Sequence, residues 1–240
     1  MSKEISQKTK EESKLKRFWS NNRGIIIFLA SMLFFRSTIA DWYHVPTGSM
    51  QPNILIGDRV WVNKLAYDVK IPFTDINLNR HSEPVAGDVV VFDSTASDER
   101  LIKRVIGVPG DRIAMQDNQL FINGVPLKLE FLAPEQSFDT FLKDRNDAAY
   151  FNETLDAKSD KAYPIRVRRL NFNPRSSFSE ILVPEDSLWV MGDNRDNSQD
   201  SRWIGVVPRS ELIGRAERVI LSLNSDNYYL PRSDRYLEKL

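Results

Sequence analysis

One apolar run, residues 24–40 (GIIIFLASMLFFRSTIA), constrains this chain more than any other feature. Its 17 residues sit at the short end of what crosses a hydrocarbon core as a helix. Lys3, Lys8, Lys10, Lys14, Lys16, Arg17 and Arg23 precede it, against only Glu4, Glu11 and Glu12. That excess predicts a cytoplasmic N-terminus, residues 1–23, and an extracytoplasmic remainder. Trp42 and Tyr43 follow as an interfacial belt, so the anchor is read as residues 24–43. Arg36, near the exit, is placed to extend its charge toward the headgroups. The competing reading is a cleaved secretory signal ending at Thr38-Ile39-Ala40; the charged leader and the aromatic belt favour a retained anchor. Either way the bulk of the chain is exported.

Lys+Arg and Asp+Glu balance at 33 each, so no net field or basic stripe points to nucleic acid. There is no cysteine, which removes thiol nucleophiles, cysteine zinc sites and disulfides together. At 240 residues and 41% apolar content the chain can bury one core plus a subdomain.

Past the run, short β-rich segments alternate with turn residues: 59–64, 88–92, 101–108, 112–115 and 119–122. Asp117-Asn118 and Asn123-Gly124 are hairpin signals and favour an antiparallel meander. Strand character returns at 188–191 and 216–223. The predicted fold is therefore mainly β: an antiparallel catalytic core from residues 44–124 and 183–224, preceded by one transmembrane helix. Residues 125–182, charged and irregular with a basic patch at 166–169, read as an inserted smaller subdomain. Residues 225–240 read as a polar tail that packs loosely or frays.

Ser49, in Pro46-Thr47-Gly48-Ser49-Met50, follows Ala40 by nine residues and is tethered within roughly 30 Å of a bilayer. As a nucleophile it needs a base. His44 and His81 are the only histidines, and both read more simply as interfacial or solvated groups. A lysine serves only if an apolar site disfavours its ammonium form. Lys103 alternates onto one strand face with Leu101, Val105 and Gly107, while Arg104 shares the other with Ile102 and Ile106. Parity does not say which face is core, so a solvated strand lysine stays open.

The string 192–202 (GDNRDNSQDSR) is dense in short polar side chains that fix tight turns. As a calcium loop from Asp196 it lacks the sixth-position glycine and the closing glutamate. Residues 107–111 lack the lysine of a phosphate-binding loop, and no HExxH pattern occurs. No metal and no cofactor is implied. Trp203 and Ile204 are read as core, with an interfacial position as the alternative.

Four strings in order, PTGSMQPN, GDRVWVNK, RLIKRVIGVPGD and GDNRDNSQDSR, resemble the bacterial type I signal peptidases, or leader peptidases, over residues 44–222. The resemblance implies a membrane serine protease that cuts exported preproteins after small-x-small sequences. It implies Ser49 as nucleophile, Lys103 as general base, and the Thr47 hydroxyl with the Ser49 N–H as oxyanion hole. Ser198 would orient the lysine amine, with Asp200 and Arg202 bracing its loop. Met50 is expected to help line the substrate pocket. The implied partners are signal peptides and the lipid bilayer of the inner membrane, with the export machinery open as a third. Two other readings remain: a Ser/Lys peptidase dedicated to one secretion or conjugation system, and a membrane-tethered β module that only binds.

Overall fold

The computed structural model describes residues 2–74, 76–133, 148–155, 162–168, 174–224 and 227–240, with side chains from residue 16 onward. Residues 24–38 of the apolar run lie in one helix, α1 (Ser2–Thr38). Its portion Lys16–Thr38, 23 residues, is long and apolar enough to cross a membrane. At 1.5 Å per residue that portion measures about 34 Å. Ile25, Phe28 and Leu33 are exposed, so the protein itself provides no cover for this apolar surface. The helix ends before the run does. Ile39 N–H still bonds the Phe35 carbonyl, but Ala40 opens β1 (Ala40–His44) and is buried. Ala40, Trp42 and Tyr43 are thus strand residues, so the span itself ends at Thr38 and not at Ala40. Arg36 is likewise held, its Nε and Nη2 on Asp41 at 2.8 and 2.7 Å and its guanidinium 4.4 Å from the Trp42 ring centre.

After β1 come β2 (Asp58–Asn63), β3 (Asp68–Lys70), β4 (Asn77–Arg80), β5 (Val89–Ser94) and β6 (Glu99–Gly107). Next are β7 (Arg112–Gln116), β8 (Gln119–Ile122), β9 (Val125–Pro126), β10 (Lys128–Leu132), β11 (Ala148–Thr154) and β12 (Ala162–Arg168). The chain continues through β13 (Phe178–Leu182), β14 (Ser187–Met191), α2 (Ser201–Ile204) and β15 (Val207–Pro208). It finishes with β16 (Leu212–Asn224), β17 (Leu230–Pro231) and β18 (Glu238–Lys239). Every pairing between these strands is antiparallel.

The main sheet runs β1-β2-β16-β5-β6-β14-β15, with β17 and β18 also on β16. Val89, Val90, Val91 and Phe92 of β5 are all buried, as are Leu188 to Met191 of β14. Such unbroken apolar runs mark strands covered on both faces, whereas β2 alternates with Val60 and Val62 inward. One register row crosses the sheet from Ala40 to Asn63, Arg215, Val90 and Lys103. Four inter-strand steps of about 4.8 Å therefore place the Lys103 backbone roughly 19 Å across the sheet from the exit of α1.

β7, β8, β9 and β13 form a second sheet. Its turn at Asp117-Asn118 has both residues at positive φ, 48° and 65°, as a tight primed hairpin requires. Of residues 125–182, β10, β11 and β12 form a separate three-stranded sheet, while β9 and β13 join β7 and β8. Residues 134–147, 156–161 and 169–173, which include Phe141 and Arg169, lie outside the described residues.

The C-terminal tail is not loose. Its β17 and β18 pair with β16, and the buried Arg235 donates through Nη2 to Asp58 Oδ2 and the Asn53 carbonyl, each at 2.8 Å. A polar reading of 225–240 overlooks that one arginine can close a buried pair. Arg235→Ala strands the Asp58 carboxylate, which is fully buried, and breaking such a pair costs about 3–5 kcal/mol. Urea unfolding of the detergent-solubilised protein should show a loss of that order; a change below about 1 kcal/mol would contradict the brace.

Candidate active site

The chain reaches Ser49 from β1 through a segment pinned at Val45, whose N–H bonds the Asp58 carbonyl and whose carbonyl accepts from Gly57. Beyond it, Asn194 holds both carbonyls of the turn: its N–H donates to Ser49 O and its Nδ2 to Gly48 O, each at 3.0 Å. Neither the Thr47 hydroxyl nor the Ser49 N–H has a partner among the described residues. Two donors close to the hydroxyl are thus left available.

Lys103 meets Ser49 from β6. Its Nζ lies 2.9 Å from Ser49 Oγ and donates at 2.8 Å to the Ile102 carbonyl. The side chain is only 2% exposed, which removes the solvated-lysine alternative. Burial pushes the ammonium down from 10.5 to about 8, against the upward pull of Asp200, Asp193 and Glu99. A neutral amine beside a serine hydroxyl is therefore accessible near physiological pH. His44 and His81 are exposed, and no hydrogen bond links either to Ser49.

The polar segment 192–202 fixes this encounter from the other side. Asp200 caps α2, accepting from Arg202 N–H and Nε through Oδ1 and from Gly192 N–H and Arg202 Nη2 through Oδ2. Burial would raise its carboxyl, but the Arg202 bonds and charge outweigh that and hold it below the ordinary value. Arg202 Nη2 also donates to the Arg195 carbonyl at 2.6 Å, closing the loop on itself. With both Asp200 oxygens engaged in this way, the segment is a structural brace.

Two further buried charges tie the brace to the sheets. Asp193 receives Arg104 Nε and Nη2 at 2.9 and 2.8 Å and Asn53 Nδ2 at 2.6 Å. It thus joins β6 to the segment that follows Ser49. Arg195 forms a two-pronged pair with Glu153 of β11, which also accepts the Tyr163 hydroxyl of β12. Arg104 lies 4.1 Å from the Tyr163 ring centre, and burial, with Glu153 beside it, raises that phenol well above its usual value.

A cleft of about 480 Å³ opens over the pair, lined among others by Thr47, Glu99, Leu101, Ser198, Gln199 and Trp203. Two positions differ from expectation here. Met50 is 1% exposed and packs with Val45, Ile54 and Val62, so it supports Ser49 from below and does not wall the cleft. Trp203 is not core: its ring is exposed at the cleft rim, against Arg175, because α2 turns Ser201 and Arg202 inward and leaves Trp203 on its outer side. Ser198 lines the same cleft as Lys103 without a hydrogen bond to Nζ, and its hydroxyl beside Asp200 helps to hold that carboxyl down.

Asp193, Asn194, Arg104 and Gly192 were not singled out from the sequence. The clearest missed signal is Gly192, where a Cβ would stand 2.2 Å from Ser198 Oγ and 2.5 Å from the Ser49 carbonyl oxygen. Only glycine admits that approach.

Comparison with known proteins identifies the family. The profile of the family described as "Signal peptidase, peptidase S26" matches residues 19–221. A signal peptidase I of Pseudomonas fluorescens is 32% identical, over 80% of this chain and 68% of that protein. One from Buchnera aphidicola (subspecies Acyrthosiphon pisum) is 29% identical over 94% and 82%, and one from Aquifex aeolicus 32% over 80% and 80%. A crystal structure of a signal peptidase I from Enterococcus faecalis, 27% identical, covers 56% of this chain and 97% of its own, with a TM-score of 0.33. The chain belongs to the signal peptidase family, peptidase S26, and is a serine endopeptidase that removes signal peptides.

Proposed function

We propose that Ser49 and Lys103 perform this cleavage as a nucleophile–base pair at the surface of a membrane to which α1 anchors the protein. The observation that carries the reading is the 2.9 Å contact between a buried amine, depressed to about 8, and the serine hydroxyl. Neutral Nζ takes the proton as Oγ bonds to the scissile carbonyl carbon. The developing oxyanion is received by the Ser49 N–H and the Thr47 hydroxyl. The ammonium then returns its proton to the departing amine of the mature protein, leaving an acyl-serine. Water, deprotonated by the same amine, hydrolyses the ester and restores Ser49. Ser198, Asp200 and Arg202 act by keeping the brace against this pair.

Substrate placement has support in the sheet. β14 pairs with β6 only along Arg104, Val105 and Gly107, so the β6 edge nearer Glu99 has no strand partner on that side. An extended signal-peptide terminus can add there as a strand, with its backbone read by β6 and small side chains admitted by the cleft. Small-x-small selection follows the family resemblance. The α1 span, the basic leader and the burial of Ala40 in β1 support a retained single-pass anchor. The N-terminus is then cytoplasmic and the β domain extracytoplasmic, at a bacterial inner membrane.

Ser49→Ala and Lys103→Ala should each lower cleavage of a preprotein by at least about 10⁴-fold while the melting temperature holds. Thr47→Val should cost about 10²- to 10³-fold in kcat. Because the amine must be neutral, kcat/KM should rise about tenfold per pH unit and level off above about 8. A plateau already reached near pH 6.5 would instead mean that Lys103 is not the base. Gly192→Ala should shift Ser49 and Ser198 together and lower kcat about 10²-fold with KM little changed. An unchanged kcat in that variant would refute the close approach.

A further inference from the structure

The last turn of α1 is built into the β domain by side chains. The Phe35 and Trp61 ring centres are 6.2 Å apart, Arg36 grips Asp41, and the Ser37 carbonyl accepts from Lys64 Nζ at 3.4 Å. Ser37 Oγ in turn accepts from the Phe73 N–H at 2.7 Å, which hangs the β3–β4 hairpin on the helix end. That hairpin leaves Phe73, Ile76 and Leu78 exposed, at 70, 60 and 64%. Phe73 also has a positive φ of 62°, a left-handed conformation that costs a bulky residue roughly 1–2 kcal/mol. Three large apolar side chains, one of them on a residue held in a strained conformation, thus keep most of their surface outside the protein's own packing.

We propose that this hairpin is a second membrane contact, its Phe73, Ile76 and Leu78 side chains immersed in the interfacial layer beside the exit of α1. The proposal rests on α1 being the anchor. Given that, the bilayer surface passes near residue 38, one position from Ser37, and Phe73 touches Ser37. An interfacial layer about 5–10 Å deep therefore reaches the hairpin tip. A helix alone leaves the domain free to rotate about its axis and to tilt. A helix plus an offset apolar foot fixes both, and so fixes the height at which the Ser49 cleft meets a signal peptide emerging from lipid. The occupant is lipid, because the tip's position is dictated by its attachment to the membrane helix.

The absence of cysteine permits a direct test. Single variants Phe73→Cys, Ile76→Cys and, as a distant exposed control, Val125→Cys would carry an environment-sensitive fluorophore. Each would be reconstituted as the full chain in phosphatidylethanolamine–phosphatidylglycerol vesicles containing headgroup-proximal spin-labelled lipid. Quenching at 73 and 76 but not at 125 is expected; water-like, unquenched emission at 73 and 76 would overturn the proposal, as would photocrosslinking from these sites to protein in place of lipid. In the same vesicles, Phe73→Asp with Ile76→Asp should lower kcat/KM about tenfold for a membrane-inserted preprotein and leave a short soluble peptide cleaved at the normal rate. Equal losses on both substrates would mean a merely structural hairpin. Cleavage of the soluble peptide by the unsubstituted chain separates the two claims, since its failure would count against the Ser49–Lys103 reading and not against the hairpin.

Discussion

The hydrogen bond between Lys103 and Ser49 is meaningful only because water is excluded from the amine. A lysine on an exposed strand face would remain an ammonium at neutral pH and could not accept a proton. Holding it at about 8 instead of 10.5 means that at pH 7 burial disfavours the charged form by about 3 kcal/mol relative to the unfolded chain. That cost is fully present below about pH 8 and fades toward 10.5, because over that interval the unfolded chain binds the proton that the folded one has released. The surrounding fold must supply the compensation. It comes from the packing around β6, whose sheet neighbours β5 and β14 are buried on both faces and whose own Leu101 and Val105 flank the amine in an apolar cluster.

The same fold tolerates several other buried charges, each satisfied by a partner, which in three of four pairs comes from a distant part of the chain. Asp193 with Arg104, Glu153 with Arg195, Asp200 with Arg202 and Asp58 with Arg235 all lie in the interior. Buried pairs are poor sources of net stability, since desolvation consumes most of the attraction, but losing one partner is expensive. Their effect here is to fix relative position. Three of the four converge on the polar segment that faces Ser49, so the sheet carrying the amine, the turn carrying the hydroxyl and the sheet of β10–β12 are locked to a common brace.

Much of this was legible in the sequence where the signal was local. The β5, β6, β7, β8 and β14 segments declared themselves through β-branched runs and hairpin dipeptides, and the Ser49, Lys103 and polar-segment strings through resemblance. What escaped depends on contacts between residues far apart. Whether Lys103 faces core or solvent is undecidable from parity when both faces of β6 are covered. Met50 and Trp203 exchanged roles, because a methionine beside a nucleophile looks like a pocket wall until its neighbours Ile54 and Val62 are placed, and a tryptophan looks like core until Ser201 and Arg202 prove to hold the inner side of its helix. The tail hid its importance in Arg235, and the apolar run hid its end, since Ala40 reads as helix by propensity and only its pairing with Asn63 makes it strand.

The most direct test of the account is the titration of the Lys103 amine itself, followed by heteronuclear NMR on protein carrying ε-labelled lysine, with the resonance assigned through Lys103→Arg. The account predicts a midpoint near 8, well separated from the bulk of the lysines. A midpoint near 10.5, that of an ordinary solvated ammonium, would contradict it.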